Sequence, residues 1–333
     1  MRSPKSAGRS APDIRPKLRV EVRSSAFNVQ RSMFSLIKKW ASFVKLSHTV
    51  FALPFALAAM VVAARANRGW PGLTIQCLIL ASMVCARTCA MAFNRLVDRK
   101  FDKANPRTAK RHLPTGEISI LSAWALCALS GAGLVVMSYL LNPVCFYLSP
   151  VAIVMICFYS LTKRFTDFTH IFLGIALALA PIGAWLAVKG EFVLWPRADT
   201  ALLPILLAAA VVFWLIGFDI IYALQDYDFD RTHGLHSLVV RWGPKNALMA
   251  AFLSHIVMWG LLVAFGLLAG FRLAYFPGLI IILICLLVEH WLARRRDLKW
   301  INVAFFRLNA LISMVFLAVT VAEIVFPHFN FGR

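Results

Sequence analysis

The chain is a succession of long apolar runs separated by short, mostly basic segments. From residue 47 almost to the end, runs recur at 47–65, 73–94, 120–141, 144–161, 169–188, 201–224, 246–268, 274–293 and 303–326. Each is long enough to cross a hydrocarbon core of about 30 Å as a helix. A membrane β-barrel would alternate polar and apolar positions, and these runs do not. The pattern therefore predicts an all-α, polytopic membrane protein with nine transmembrane helices in one domain over 47–326. Pro143 marks a tight turn between the third and fourth runs, and Gly270 and Pro277 punctuate the seventh and eighth.

Two segments precede the first run. Over 31–46, Met33, Phe34, Leu36, Ile37, Trp40, Phe43 and Val44 recur at helical spacing, with Lys38, Lys39 and Lys45 among them. This predicts an amphipathic helix lying in the membrane interface. Residues 1–30 are rich in Arg, Ser and Pro and predict a disordered basic tail. They hold no apolar stretch of the kind a secretory signal needs. Their acid-poor makeup has some likeness to a transit peptide; a cytoplasmic tail touching anionic lipid is the preferred reading.

Composition agrees with the pattern: 60% of the 333 residues are hydrophobic and 15% are charged, against roughly 25% charged in a soluble domain. The net charge of +20 could indicate nucleic acid, but the basic residues sit between apolar runs, which is a signature of topology. No nucleic-acid partner is expected; the lipid bilayer is. With the N-terminus inside, the cytoplasmic segments hold 27 of the 35 Lys and Arg, and Arg65, Arg68, Lys189, Arg197, Arg272 and Arg333 lie outside. Arg87 and Arg307 fall within spans. The asymmetry places the N-terminus in the cytoplasm and suits a multi-pass protein of a bacterial inner membrane. All seven cysteines lie in apolar runs, Cys85 and Cys89 four apart on one helix. They read as small buried hydrophobes, with no zinc spacing and no disulfide expected.

Carboxylates normally avoid membrane helices, and two places break that rule. At the end of the second run, N-R-L-V-D-R-K-F-D spaces Asn94, Asp98 and Asp102 four apart, so that on a helix they share a face. At the end of the sixth, D-I-I-Y-A-L-Q-D-Y-D-F-D puts Asp219, Tyr222, Asp226 and Asp230 on one helical face, with Asp228 pointing elsewhere. Both ladders fall on the cytoplasmic side. Oxygen-only donors without His or Cys suit a hard cation, and Mg²⁺ binds through a few carboxylates plus phosphate oxygens. Two such ladders predict Mg²⁺ ions on Asn94, Asp98, Asp102, Asp226 and Asp230 gripping a diphosphate. The bland alternative pairs these acids with neighbours such as Arg95, Arg99 and Lys100.

Cations cluster at the same face. Arg107, Lys110 and Arg111 come after the first, and Tyr159, Lys163 and Arg164 close the fourth run. They are candidates to bind diphosphate and stabilise it as it leaves, although positive-inside anchoring needs basic residues here too. Arg87 lies seven residues before Asn94, two turns deeper on the same face. A charge at that depth is costly unless it is used, so it is expected to hold a carboxylate or phosphate. His48, His170 and His255 read as polar handles in packed helices, and His233 and His236 as loop residues flanking the second ladder. Glu289 and His290, ending the eighth run, are expected to reach the interface.

At these residues the chain resembles the UbiA superfamily of intramembrane prenyltransferases, over about 45–325. The resemblance rests on N-x-x-x-D-x-x-x-D at Asn94–Asp102 and on Y-x-x-x-D-x-x-x-D at Tyr222–Asp230, preceded by Asp219. Asn105–Gly116, Y-S-x-x-K-R at Tyr159–Arg164 and F-F-x-x-N-x-x-x-S at Phe305–Ser313 also match. It implies nine helices around a central cavity and a polyprenyl diphosphate bound with Mg²⁺ between the ladders. It also implies ionisation to an allylic cation captured by an aromatic acceptor, with the named aspartates and Asn94 catalytic and the named cations, Tyr159 and Tyr222 binding substrate. The opening Lys45–Phe55, D-I-I-Y-A-L-Q-D and G-L-H-S look more like the subgroup in the futalosine route to menaquinone. That leaves the acceptor open between 4-hydroxybenzoate, as in ubiquinone synthesis, and a related ring. A haem O synthase-like farnesyltransferase is the rival inside the superfamily. A transporter using intramembrane aspartates is the rival outside it.

Overall fold

The structure, a computed structural model, describes residues 35–191, 198–294 and 303–326. The tail assigned to 1–30 and the start of the interfacial segment lie outside those residues. The chain divides into two units, 1–43 and 44–333. In the first, a helix, α1, occupies 35–43, exposing Leu36 and Ile37, with the Trp40 and Phe43 rings edge to face at 5.7 Å. The sequence extended this helix to 46, but Lys45 takes a left-handed φ of 48°. That conformation ends a right-handed helix.

The second unit is built of helices: α2 (Thr49–Ala63), entered through a 3₁₀ turn at Leu46–His48, then α3 (Leu73–Ala104), α4 (Ile120–Leu141) and α5 (Pro143–Phe158). A 3₁₀ segment at Tyr159–Arg164 leads to α6 (Thr169–Lys189) and α7 (Ala198–Ala223). After a 3₁₀ turn at Leu224–Asp226 come the short α8 (Tyr227–Thr232), α9 (Leu238–Ala269) and α10 (Tyr275–Ala293). A π-helical turn, Val303–Leu308, opens α11 (Asn309–Val325). Nine stretches among the described residues are long and apolar enough to cross a membrane, in the places the apolar runs indicate. The protein is a multi-pass, all-α membrane protein. Pro143 opens α5, where a missing N–H costs nothing, and Gly270 caps α9 at φ 71°. Within α9 the helix is interrupted at Gly243, whose φ of 76° and ψ of 158° are non-helical, so a short helical piece from Leu238 precedes the stretch that carries the seventh run.

Packing follows side-chain size. α2 is apolar on every face and rich in alanine, and it packs against α6, α7 and α11. Lipid tails are as apolar as leucine, so membrane helices associate through close packing of small residues. Gly174 shows this between α6 and α7: a Cβ there would lie 2.9 Å from the Val212 carbonyl oxygen. Gly217 leaves room for the His255 imidazole, which a Cβ would strike.

One expectation fails here. Glu289 and His290 do not reach the interface; Glu289 is fully buried. Asn309 Nδ2 donates to Glu289 Oε1 at 2.8 Å, and Trp214 Nε1 donates to Asn309 Oδ1 at 2.6 Å. His255 Nε2 lies 3.2 Å from the Trp214 carbonyl and its Nδ1 lies 2.9 Å from His290 Nε2. A carbonyl can only accept, so His255 carries its proton on Nε2 and accepts from His290. Four helices, α7, α9, α10 and α11, are joined by this network. Replacing Asn309 with leucine orphans the indole N–H and the Glu289 carboxyl. It is expected to destabilise the fold by about 2–6 kcal/mol, at 1–3 kcal/mol per buried unsatisfied group. Thermal unfolding in detergent measures it; an unchanged midpoint would deny the network any structural weight.

Candidate active site

α3 runs unbroken from 73 to 104, and so carries Arg87, Asn94, Asp98 and Asp102 down one face. The second ladder is built otherwise. α7 stops at Ala223, a 3₁₀ turn carries Asp226, and Asp230 sits on the separate α8. The expectation of one continuous helical face is corrected, because the 3₁₀ turn at Leu224–Asp226, with about 3.0 residues per turn, breaks the α-helical period. Even so, Asp219, Tyr222, Asp226 and Asp230 line the same cavity as the first ladder, together with Arg87, Arg107, Arg111, Tyr159, Lys163 and Arg164. Asp228 is exposed and stays out of it. The cavity measures about 270 Å³.

Asp98, Asp102, Asp226 and Asp230 each meet a Lys or Arg, and the near partners are not the ones adjacent in sequence. Arg107 grips Asp226 with a fork, Nε to Oδ1 at 2.8 Å and Nη2 to Oδ2 at 2.5 Å, and its Nη1 donates to the Tyr222 hydroxyl at 3.0 Å. Asn105 Nδ2 donates to Asp226 Oδ1 at 3.1 Å. Arg111 Nη1 reaches Asp102 Oδ1 at 2.6 Å, Lys163 Nζ reaches Asp230 Oδ2 at 3.2 Å, and Arg164 Nη2 reaches Asp98 Oδ1 at 3.1 Å. Asn94 Nδ2 donates to Asp98 Oδ2 at 3.0 Å. Of the neighbours the sequence offered as partners, Arg95 comes no closer to Asp102 than 3.8 Å, and Arg99 donates to the Leu96 carbonyl. The loop after α3 and the segment after α5 thus each hold both ladders.

Other cavity residues escaped the sequence reading. Lys45, His48 and Arg95 line it. Burial lowers the Lys45 ammonium to about 7, with repulsion from Arg95, Arg111, Arg107 and Arg87 adding to it. Phe51, Phe218, Tyr222 and Phe305 form an aromatic wall, with Phe51–Phe305 centroids 5.3 Å apart, Phe218–Phe305 5.4 Å and Tyr222–Phe305 4.2 Å. His170, read as a packing handle, places Nδ1 2.6 Å from Asp219 Oδ2. No sequence signal marked that pair, whose members lie 49 residues apart. His233 stacks on Phe229 and His236 lies 3.0 Å from Asp167 Oδ1; neither lines the cavity.

A second cavity of about 270 Å³ adjoins the first and is largely apolar. His48, Arg87, Tyr159 and Leu177 line both. Arg87 Nε is buried there without a hydrogen-bond partner, so an anion at the junction would find a waiting donor.

The donor set fits Mg²⁺. The Asp102 Oδ2 atom is buried and accepts no hydrogen bond. Among the described residues no three acidic, His or Cys side chains enclose an ion by themselves.

The pattern of the UbiA prenyltransferase family matches residues 52–311. A 4-hydroxybenzoate octaprenyltransferase of Alcanivorax borkumensis is 31% identical over 239 residues, covering 71% of this chain and 78% of its own. A UbiA homolog from Aeropyrum pernix K1, solved in its apo form, superposes with a TM-score of 0.74 at 31% identity, covering 83% of this chain and 98% of its own. A UbiA homolog from Archaeoglobus fulgidus, bound to DMAPP and Mg²⁺, shares the fold at a TM-score of 0.66 and 24% identity, over 86% of this chain and 99% of its own.

Proposed function

The chain belongs to the UbiA prenyltransferase family, and on that premise we propose that it moves a polyprenyl group from polyprenyl diphosphate to 4-hydroxybenzoate or a related aromatic acceptor, with Mg²⁺, in quinone synthesis. One observation carries the reading: both aspartate ladders and their cations open on a single cavity that adjoins an apolar one. Diphosphate fits the polar cavity, and the tail fits the apolar one.

The four aspartates proposed for the metal site pair with Arg107, Arg111, Lys163 and Arg164. A diphosphate competes for those same cations, since charge-assisted bonds from Arg to phosphate match those to carboxylate. As the cations turn to phosphate, Asn94, Asp98, Asp102, Asp226 and Asp230 are freed to hold Mg²⁺. Bound there, the metal would neutralise the departing diphosphate. Lys163, Arg164, Arg107 and Arg111 stabilise the charge that develops on the leaving oxygen. Arg87, at the junction, is placed to anchor an anionic group. Phe51, Phe218, Tyr222 and Phe305 present π faces that stabilise an allylic cation, and the enclosing helices keep water from quenching it. The excess of Lys and Arg in the segments carrying the site supports a cytoplasmic-side site in a bacterial inner membrane.

The test is direct. Membranes containing the protein, given Mg²⁺, labelled farnesyl diphosphate and 4-hydroxybenzoate, are expected to yield a lipid-soluble prenylated ring by mass spectrometry. Flux of substrate across sealed vesicles without any such product would support a transporter instead.

A further inference from the structure

Prenylation of a ring ends with a proton to remove. The allylic C–O bond breaks and its electron pair leaves on diphosphate. A π pair of the ring forms the new C–C bond, the C–H pair then returns to the ring, and the proton passes to a base. A fixed group within hydrogen-bond reach of the ring is suited to take it.

Five aspartates line the cavity. Four are held by arginine or lysine, in the pairs given above. Asp219 is the exception: its ionic partner among the described residues is His170, with Nδ1 2.6 Å from Oδ2. It lies on α7 itself, seven residues before the Asp226 of the following 3₁₀ turn, beside Phe218 of the aromatic wall. Its side chain keeps 21% of its surface open to the cavity, whereas that of His170 is wholly buried. An ionised carboxylate can only accept, so His170 carries its proton on Nδ1. The other ring nitrogen, Nε2, is buried without a partner, so the one hydrogen bond of the imidazole is spent on holding the carboxylate.

Resting on the prenyl-transfer reading, we propose that Asp219 is the base that takes the ring proton and that His170 positions it. The other four aspartates serve the diphosphate end. The departing diphosphate is the rival proton acceptor.

The experiment uses the full chain in detergent with Mg²⁺, farnesyl diphosphate and 4-hydroxybenzoate deuterated ortho to the hydroxyl. Farnesyl diphosphate binding is checked first for each variant. Asp219→Asn is expected to lower prenylated product by about 10²-fold or more, while diphosphate release continues with farnesol as the by-product. The remaining turnover is expected to show a primary deuterium isotope effect absent from the wild type. His170→Leu is expected to lower kcat roughly tenfold, the lower bound for a hydrogen bond to a charged group, with KM for farnesyl diphosphate unchanged and the same isotope effect. His170→Gln keeps an N–H donor and restores most of the rate; with Asp219→Asn it carries the conclusion should His170→Leu fail to fold. Diphosphate release and prenylation falling together in Asp219→Asn would overturn the proposal, since Asp219 would then serve ionisation. So would a positioning variant with wild-type kcat and no isotope effect. A wild-type chain that binds farnesyl diphosphate and makes no product overturns the parent reading, and this one with it.

Discussion

Asp226→Asn is expected to lower prenyl transfer by about 10²- to 10³-fold, the range seen when one preorganised charge-stabilising group is removed from a site. The substitution keeps the side-chain shape and removes one negative charge from the set proposed to hold Mg²⁺. Asp226 is also the most heavily tied acid in the cavity, accepting from Arg107 twice and from Asn105. With asparagine there, the fork of Arg107 meets an amide N–H where it met an oxygen. The guanidinium keeps 30% of its side-chain surface open, so solvent can take up the loss and the fold should survive. The variant therefore separates catalysis from folding. Product formation is measured against Mg²⁺ concentration, with thermal unfolding in detergent as the control. Asp98→Asn is expected to behave alike, and a strong chelator should abolish wild-type turnover until Mg²⁺ is restored. Wild-type rates in Asp226→Asn, or full activity under the chelator, would end the metal reading.

Gly183→Phe is expected to change which diphosphates are used. Ala176, Ala180, Gly183, Ala184 and Ala187 line the apolar cavity and fall on one stripe of α6. A Cβ at Gly183 would meet nothing within 4 Å, so a phenyl ring can enter the space proposed for the tail without displacing a neighbour. A filled hydrophobic pocket discriminates by about 10- to 200-fold per group that no longer fits. For an octaprenyl substrate kcat/KM should fall by about 10²-fold, while a geranyl substrate, which needs only the start of the cavity, is used nearly as before. A competition between the two diphosphates, read by product mass spectrum, decides it. An unchanged product ratio would move the tail to another path.

The F-F-x-x-N-x-x-x-S segment shows how a sequence match can be right about place and silent about cause. Asn309 does not face the cavity; it joins Trp214 to Glu289 behind the aromatic wall, and Ser313 donates to the Val50 carbonyl. Phe305 alone of that segment lines the site. The sequence reading of Glu289 as an interfacial residue went wrong for the same reason. The end of an apolar run looks alike whether its polar group meets water or another helix.

What the chain's own order of residues determined was local. Runs of about 20 apolar residues make spans because the bilayer sets their length. Asn94, Asp98 and Asp102 share a face because the helical period is 3.6. What tertiary structure decided was partnership. Asp98 meets Arg164, 66 residues away; Asp230 meets Lys163 across 67, Asp226 meets Arg107 across 119, and Asp219 meets His170 across 49. Such pairs depend on which helices pack side by side and at what depth. The apolar faces that bring α3, α6 and α7 together are so alike in composition that no spacing rule distinguishes one neighbour from another.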